Sequence, residues 1–366
     1  MNEFALPRGI KVFERGWLSA NNILFWSNDD VSIVDTGYVA HQEQTLSLVK
    51  NALKAEGLSK LDKIVNTHLH SDHCGGNAIL VNDFQSSVYV PANEFSAVYD
   101  WNENLLSFKN LGQNCPTFQC HHSLEPGKRI LLGAYMWEIL AAPGHDPHSV
   151  ILYQEDHQLL ISADALWEDG FGAIFPELDG EDGFEEVART LDLIDQLKIK
   201  LVIPGHGKLF TDVKTSLAKA RSRLDYLATD KARNARHAAK VLLKFRLLEW
   251  QSLELHLVHK WIKETPLMKA IAKELNQSIN QLAEWLPPAL TKAGGAKIDQ
   301  NILINLDCLV RVYTSLFNDW SPQINLRFQV SFVSFWASIL VIRYVCTQLC
   351  HLGFVTSIID ARLDCC

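Results

Sequence analysis

Between positions 66 and 76 the chain reads Asn-Thr-His-Leu-His-Ser-Asp-His-Cys-Gly-Gly, which packs His68, His70, Asp72 and His73 into six consecutive residues. No other stretch constrains the fold as strongly. So dense a set has no packing rationale, because polar groups are costly to bury without partners. Neutral imidazoles and a carboxylate are, however, the donors that borderline divalent metals such as zinc prefer. The preceding run Lys63-Ile64-Val65-Asn66-Thr67 has the character of a β-strand, so the four side chains are expected in the tight loop at its carboxyl end. The pair Gly75-Gly76 would let the backbone turn sharply around the ions.

One short loop cannot surround two ions, and three later residues offer the missing donors. His145 stands in Ala142-Pro143-Gly144-His145, Asp164 in Ser162-Ala163-Asp164-Ala165, and His206 in Ile203-Pro204-Gly205-His206-Gly207. Each follows a strand-like stretch, at 137–140, 159–162 and 200–203. Ligands at the ends of successive strands converge on one edge of a folded sheet.

In this order the motifs resemble the metallo-β-lactamase superfamily: His-x-His-x-Asp-His at 68–73, then His145, Asp164 and His206. The stretch Val34-Asp35-Thr36-Gly37 is similar to the family's early aspartate motif, which supports the metal loop from behind. The resemblance covers roughly residues 10–210 and implies an α/β fold, an αββα sandwich. It also implies two Zn2+ ions, with iron or manganese as alternatives: His68, His70 and His145 on the first, Asp72, His73 and His206 on the second, and Asp164 bridging both. The implied reaction is hydrolysis by a metal-bound hydroxide, with Asp72 both a ligand and the group that orients the nucleophile. An aspartate at 164 groups the chain with hydrolases resembling glyoxalase II, with lactonases and with nucleases; true β-lactamases typically carry cysteine or serine there.

Other residues near these motifs admit two readings each. His148, in Gly-His-Asp-Pro-His-Ser, departs from the family's common Pro-Gly-His-Thr-Pro-Gly-Ser; it is either a catalytic proton donor or a turn histidine bonded to backbone. Trp167, Phe171 and Phe175 either wall an apolar pocket or form a buried cluster. Cys74, directly after His73, either approaches the metals or, as the favoured reading, packs as a small thiol under the loop. Cys115, Cys120, His121 and His122 lack the spacing of a zinc finger.

The expected function is hydrolysis of a small-molecule ester, thioester or lactone. A metal-dependent endoribonuclease is the alternative, because lactamase-like nucleases share an order of catalytic domain, basic helix and winged-helix-like tail. A β-lactamase or a non-catalytic nucleic-acid-binding protein ranks lower. The net charge of −8 and a pI near 6.0 give the whole molecule no electrostatic bias toward nucleic acid. The early residues lack an apolar core of signal-peptide length, and the eight cysteines form no disulfide framework, so a cytoplasmic location is expected.

A chain of 366 residues suggests more than one domain. Residues 1–215 read as the catalytic domain, 216–310 as a helical, winged-helix-like region, and 311–366 as an atypical apolar, cysteine-rich tail. Within the first, 10–35 alternates as hairpin strands turning at 28–30, 41–56 and 184–197 have helical periodicity, and 92–125 is an irregular aromatic insertion. The segment 219–246 carries nine Lys or Arg against two Asp and suggests two helices broken near Thr229-Asp230. It reads as a solvated basic face on a covering helix; the sharper alternative is an anion-binding surface using Arg233, Arg236 and Lys240. Residues 253–306 suggest helix, turn, helix and a strand at 301–304, in a packing or homodimerisation role. The apolar run 330–342 stops short of the roughly 20 residues that span a bilayer, so a membrane anchor is not expected.

Overall fold

Six segments pair into one sheet, in the order β1 (Ile10–Phe13), β2 (Asn22–Trp26), β3 (Val31–Val34), β4 (Lys63–Val65), β5 (Ser87–Pro91) and β6 (His122–Leu124). The first three run antiparallel and the rest continue in parallel from β3. A second sheet is built from β7 (Arg129–Leu132), β8 (Tyr135–Ala141), β9 (Val150–Gln154), β10 (Leu159–Ala163) and β11 (Leu201–Pro204), where only the β10–β11 edge is parallel. These assignments come from a computed structural model, which describes residues 6–306. The expected tail at 311–366, with its apolar run, lies outside the described residues.

Strand sequence decides how the sheets are covered. In β10, Leu159 and Ile161 face one core while Leu160 faces another, and in β2 Ile23 and Phe25 alternate with Leu24 in the same way. β2, β9, β10 and β11 are therefore buried on both faces and read as near-continuous apolar runs rather than the alternation expected over 10–35. At the other edge of the second sheet, β7 and β8 alternate buried with more exposed residues. Between the sheets lie Phe25, Val34, Val65, Trp137, Leu152 and Ile161. The outer face of the first sheet packs on α1 (Gln42–Ala55), α3 (Asn77–Phe84), α4 (Phe95–Tyr99) and α5 (Ser107–Leu111); the short α2 (Ser71–Cys74) precedes α3. The outer face of the second packs on α6 (Gly183–Gln196) and α7 (Val213–Ala228). On α6 the buried Val187, Thr190, Leu191 and Ile194 recur at helical spacing toward the sheet. The architecture is the expected αββα sandwich.

The interval 92–125 is more ordered than its sequence suggests: it holds α4, α5 and β6, and its Trp101, Phe108 and Phe118 pack together. Each helix is only five residues long, too short for periodicity to register.

Beyond the sandwich come α8 (Lys231–Trp250), β12 (Ser252–Glu254), α9 (Leu255–Glu264), α10 (Pro266–Glu274), α11 (Ile279–Lys292), β13 (Ala296–Asp299) and β14 (Ile302–Asn305), the strands pairing in the order β12-β14-β13. The expected break after α7 exists because Asp230 caps α8, its carboxylate accepting the Ala232 amide at 3.0 Å. β12 is three residues long and has no period of its own, whereas in α9 the buried Val258 and Ile262 recur at helical spacing. The helices share a core that includes Leu242, Ile262, Met268 and Leu286, and Leu111 of α5 enters it.

The basic run is a solvated face only in part: Lys219, Arg221, Lys231 and Arg236 reach solvent, and others turn inward. Arg223 donates to the Phe171 carbonyl, Lys244 to the carbonyls of Gly295 and Leu306 and to Asn305, and Arg246 to Tyr38 and Glu249. Lys240 is buried, while Lys219, Arg221 and Lys231 pair with Asp169, with Asp192 and Asp195, and with Glu177. Of the three residues that an anion-binding reading needs, Arg236 alone is exposed; Arg233 bonds the Tyr226 carbonyl. Most of these cations are engaged in bonds and ion pairs within the described unit. No described helix is long and apolar enough to cross a membrane.

Candidate metal centre

The loop after β4 is clamped from beneath by Asp35, at the end of β3. Its carboxylate accepts the Thr67 amide at 2.9 Å, the Thr67 hydroxyl at 2.8 Å and the His73 Nδ1–H at 2.7 Å. Asp35 has φ 56°, a left-handed conformation that aspartate tolerates better than most residues. The Thr36 amide donates to the His73 carbonyl at 2.7 Å, and the buried amides of Asn66 and Asn77 bond one another at 2.7 Å. The role of the glycine pair differs from the expected sharp turn. Gly76 has an ordinary φ of −89°, but a Cβ there would stand 2.4 Å from the Thr36 carbonyl oxygen. Close approach of the two loops is what demands glycine.

His145 follows β8, Asp164 follows β10 and His206 follows β11, so three strand ends of the second sheet, with the antiparallel β9 between β8 and β10, aim at the first loop. Asn21 straps the last of these down: its side-chain amide donates to the carbonyls of Pro204 at 2.9 Å and Gly207 at 2.8 Å. The adjacent Ala20 amide donates to the Asp72 carbonyl at 2.9 Å, which ties both metal loops to one segment. Gly205 lies so close to Asp164 that a Cβ would sit 2.3 Å from its Oδ1.

The structure gathers the seven expected donors into three overlapping groups: His68, His70 and His145; His68, His73 and Asp164; and Asp72, His73 and His206, with ligand atoms in each group within 4.8 Å of one another. His70 Nδ1 is 3.0 Å from His68 Nε2 and 2.7 Å from His145 Nε2. Asp164 reaches both sides, with Oδ2 3.3 Å from His145 Nε2 and Oδ1 3.4 Å from His73 Nε2. His206 Nε2 is 3.1 Å from Asp72 Oδ2. All seven are buried.

These residues fit a pair of cations. His145 Nδ1–H donates to the Ala173 carbonyl and His73 Nδ1–H to Asp35, which leaves both Nε2 lone pairs facing inward. His73 Nε2 is buried without a hydrogen-bond partner. Lone pairs that face one another across the distances above repel, and a cation between them removes that repulsion. Burial, aided by His73 and His70, holds His68 well below its ordinary value; burial and His145 push His70 down to about 4. Both are therefore neutral, as ligation requires. Burial also disfavours charge on His73, but Asp35 and Asp164 outweigh it and draw positive charge to that point. Burial works against ionised Asp164 too, yet His206 and His73 hold its carboxyl well below the usual range.

Aromatic rings surround the donors. Trp17 stacks on His206 with centroids 5.2 Å apart, and Trp167 meets the same ring edge-on at 5.5 Å while its Nε1–H donates to Asp164 Oδ1 at 3.2 Å. Phe175 lies 5.6 Å from both His70 and His145. Phe171 belongs elsewhere: it is buried in the core beneath α6 and α7, with the Arg223 guanidinium 4.8 Å from its ring centroid. His148 is not among the converging donors; its backbone amide donates to Asp146 Oδ1 at 2.8 Å. Asp146 Oδ2 approaches His70 Nε2 at 3.8 Å. Trp17, Asn21 and Asp146 carry no sequence signal, because each acts through contacts with residues remote in the chain or on a loop without periodicity.

A profile of the metallo-beta-lactamase superfamily matches residues 15–206. The chain belongs to that superfamily. It is 30% identical over 203 residues to the probable metallo-hydrolase YqgX of Bacillus subtilis (strain 168), a match spanning 55% of this chain and 90% of that protein. It is 24% identical over 218 residues to the acyl-coenzyme A thioesterase MBLAC2 of Homo sapiens, spanning 54% of this chain and 77% of that protein. The crystal structure of a metallo-beta-lactamase family protein from Thermus thermophilus superposes with a TM-score of 0.50 at 19% identity, across 82% of this chain and 100% of that one, a likeness of fold alone.

Proposed function

We propose that this chain is a dinuclear zinc hydrolase of small-molecule thioesters, esters or lactones, with thioesters foremost. The observation that carries the reading is Asp164, whose two oxygens face His145 on one side and His73 on the other, as a bridging carboxylate would. His68, His70 and His145 would hold one ion, and Asp72, His73 and His206 the other. When bound, such a pair supplies an acidified water and polarises the carbonyl under attack. The chain does the rest. Asp72 fixes the direction of attack, while Trp17, Trp167 and Phe175 give the acyl group an apolar wall and limit water access. His148 is proposed as a substrate contact or proton donor from the adjoining loop. The thioesterase name of the human relative supports trying thioesters first.

The nuclease reading loses support from the internal use of the basic run, since phosphate tracking needs free cations on a surface. We read the β12-β14-β13 sheet with α9–α11 as winged-helix-like and assign it to packing or self-association in a cytoplasmic enzyme.

The test is a hydrolysis panel on zinc-reconstituted full-length protein: acyl-coenzyme A and acyl-glutathione thioesters, aryl esters, lactones and single-stranded RNA. Thioester turnover that vanishes in a folded Asp72→Asn variant is the expected result. Metal-dependent RNA cleavage without turnover of any acyl substrate would overturn the proposal.

A further inference from the structure

Directly behind the metal loop, two cysteine side chains meet. Cys74, the last residue of α2, is fully buried, and its Sγ lies 3.7 Å from that of Cys115. Both are free thiols. Cys74 Sγ also donates to the His70 carbonyl at 3.3 Å, so the thiol touches the metal loop's own backbone. Cys115 is half-buried and lines a cleft of about 580 Å³ whose walls include Trp101, Phe108, Gln113 and Trp261. A second link joins the same two segments, the Ser71 hydroxyl donating to Gln113 Oε1 at 2.6 Å. The remaining described cysteine, Cys120, faces away and contacts the Phe95 carbonyl.

We propose that Cys74 and Cys115 are a modification site that takes up a reversible disulfide from a small disulfide such as oxidised glutathione. Access sets the order of events. Cys115, reachable through the cleft, attacks as the thiolate, forming a mixed disulfide and expelling one glutathione thiolate. Cys74, already in contact, then displaces the second glutathione from the Cys115 sulfur. Two protein thiols are oxidised, one glutathione disulfide is reduced to two thiols, and the two thiol protons pass to solvent and the leaving groups. Bond formation shortens the sulfur separation from 3.7 Å to about 2.05 Å, pulling on the helix that bears Asp72 and His73. The redox state of the pair is thereby coupled to the metal loop.

The experiment exposes full-length protein to glutathione redox buffers, then traps free thiols and digests with trypsin. The expected product links peptides 64–109 and 110–128 with loss of about 2 Da, reverses with dithiothreitol, persists in Cys120→Ser and is missing in Cys115→Ser. Cys115 arrested as the glutathione adduct, or linkage that survives Cys115→Ser through Cys120, would overturn the assignment. In a parallel arm, zinc-loaded wild type and Cys115→Ser receive the same oxidant and then a chromophoric chelator. Faster metal release from oxidised wild type alone supports the coupling, and equal release from both removes it.

Discussion

Replacing Asp35 with asparagine isolates the support of the metal loop from its ligands. Asparagine keeps the shape and tolerates the φ of 56°, but one carboxylate oxygen becomes a donor. If the oxygen stays beside the Thr67 amide, the new NH2 faces the His73 Nδ1–H that Asp35 accepts at 2.7 Å. Two donors cannot face each other, so His73 either loses its bond or moves its proton to Nε2, where a ligand lone pair is required. A hydrogen bond to a charged group contributes about 1.5 to 3 kcal/mol. That range corresponds to roughly 10- to 150-fold in affinity, in line with the 10- to 100-fold typical of losing a ligand's supporting partner. Metal competition against a chromophoric chelator, with circular dichroism as a check on folding, measures the effect on the second ion. Asp35→Ala should be worse, since it strands the Thr67 donors as well and adds left-handed strain. A folded Asp35→Asn variant that binds both ions within about twofold of wild type would refute the tautomer argument.

Elemental analysis of metal-reconstituted protein should find close to two equivalents, since Asp164 faces both halves of the seven-donor set; a reproducible single equivalent would contradict it. Gly205→Ala puts a Cβ 2.3 Å from Asp164 Oδ1 and should cut turnover by about 100-fold without unfolding the chain, the cost typical of an ångström-scale misplacement. Unchanged steady-state kinetics would show that the loop relaxes. Glu94 is buried, and burial together with Asp146 holds its carboxyl well above the ordinary 4.5. Its folded value exceeds its unfolded one, so its contribution is full below 4.5 and is lost as pH rises through the raised value. Glu94→Gln should therefore gain stability relative to wild type as denaturation is measured at rising pH, whereas parallel curves would contradict the burial argument.

What the sequence made legible is what depends on short-range pattern. The metal donors stood out because His68, His70, Asp72 and His73 are contiguous and because His145, Asp164 and His206 each end an apolar run. The sandwich followed from the resemblance those ordered motifs carry, and the near-continuous burial of β9, β10 and β11 between two helical layers agrees with it. The five-residue helices α4 and α5 were hidden because one turn and a half carries no measurable period.

The basic run shows the other limit. Counting charge along 219–246 treats each Lys and Arg as solvated, but a cation's role is set by what faces it across the fold. Lys244 meets the carbonyls of Gly295 and Leu306, and Arg246 meets Tyr38, residues 51, 62 and 208 positions away in sequence. Removing such a cation leaves buried acceptors unpaired, so its loss is felt as instability before any effect on binding. Substituting Lys240 or Arg233 therefore cannot report cleanly on phosphate contacts, whereas Arg236, exposed on the same helix, can. An RNA-binding comparison built on Arg236→Ala separates surface electrostatics from the internal cations that hold α8 in place.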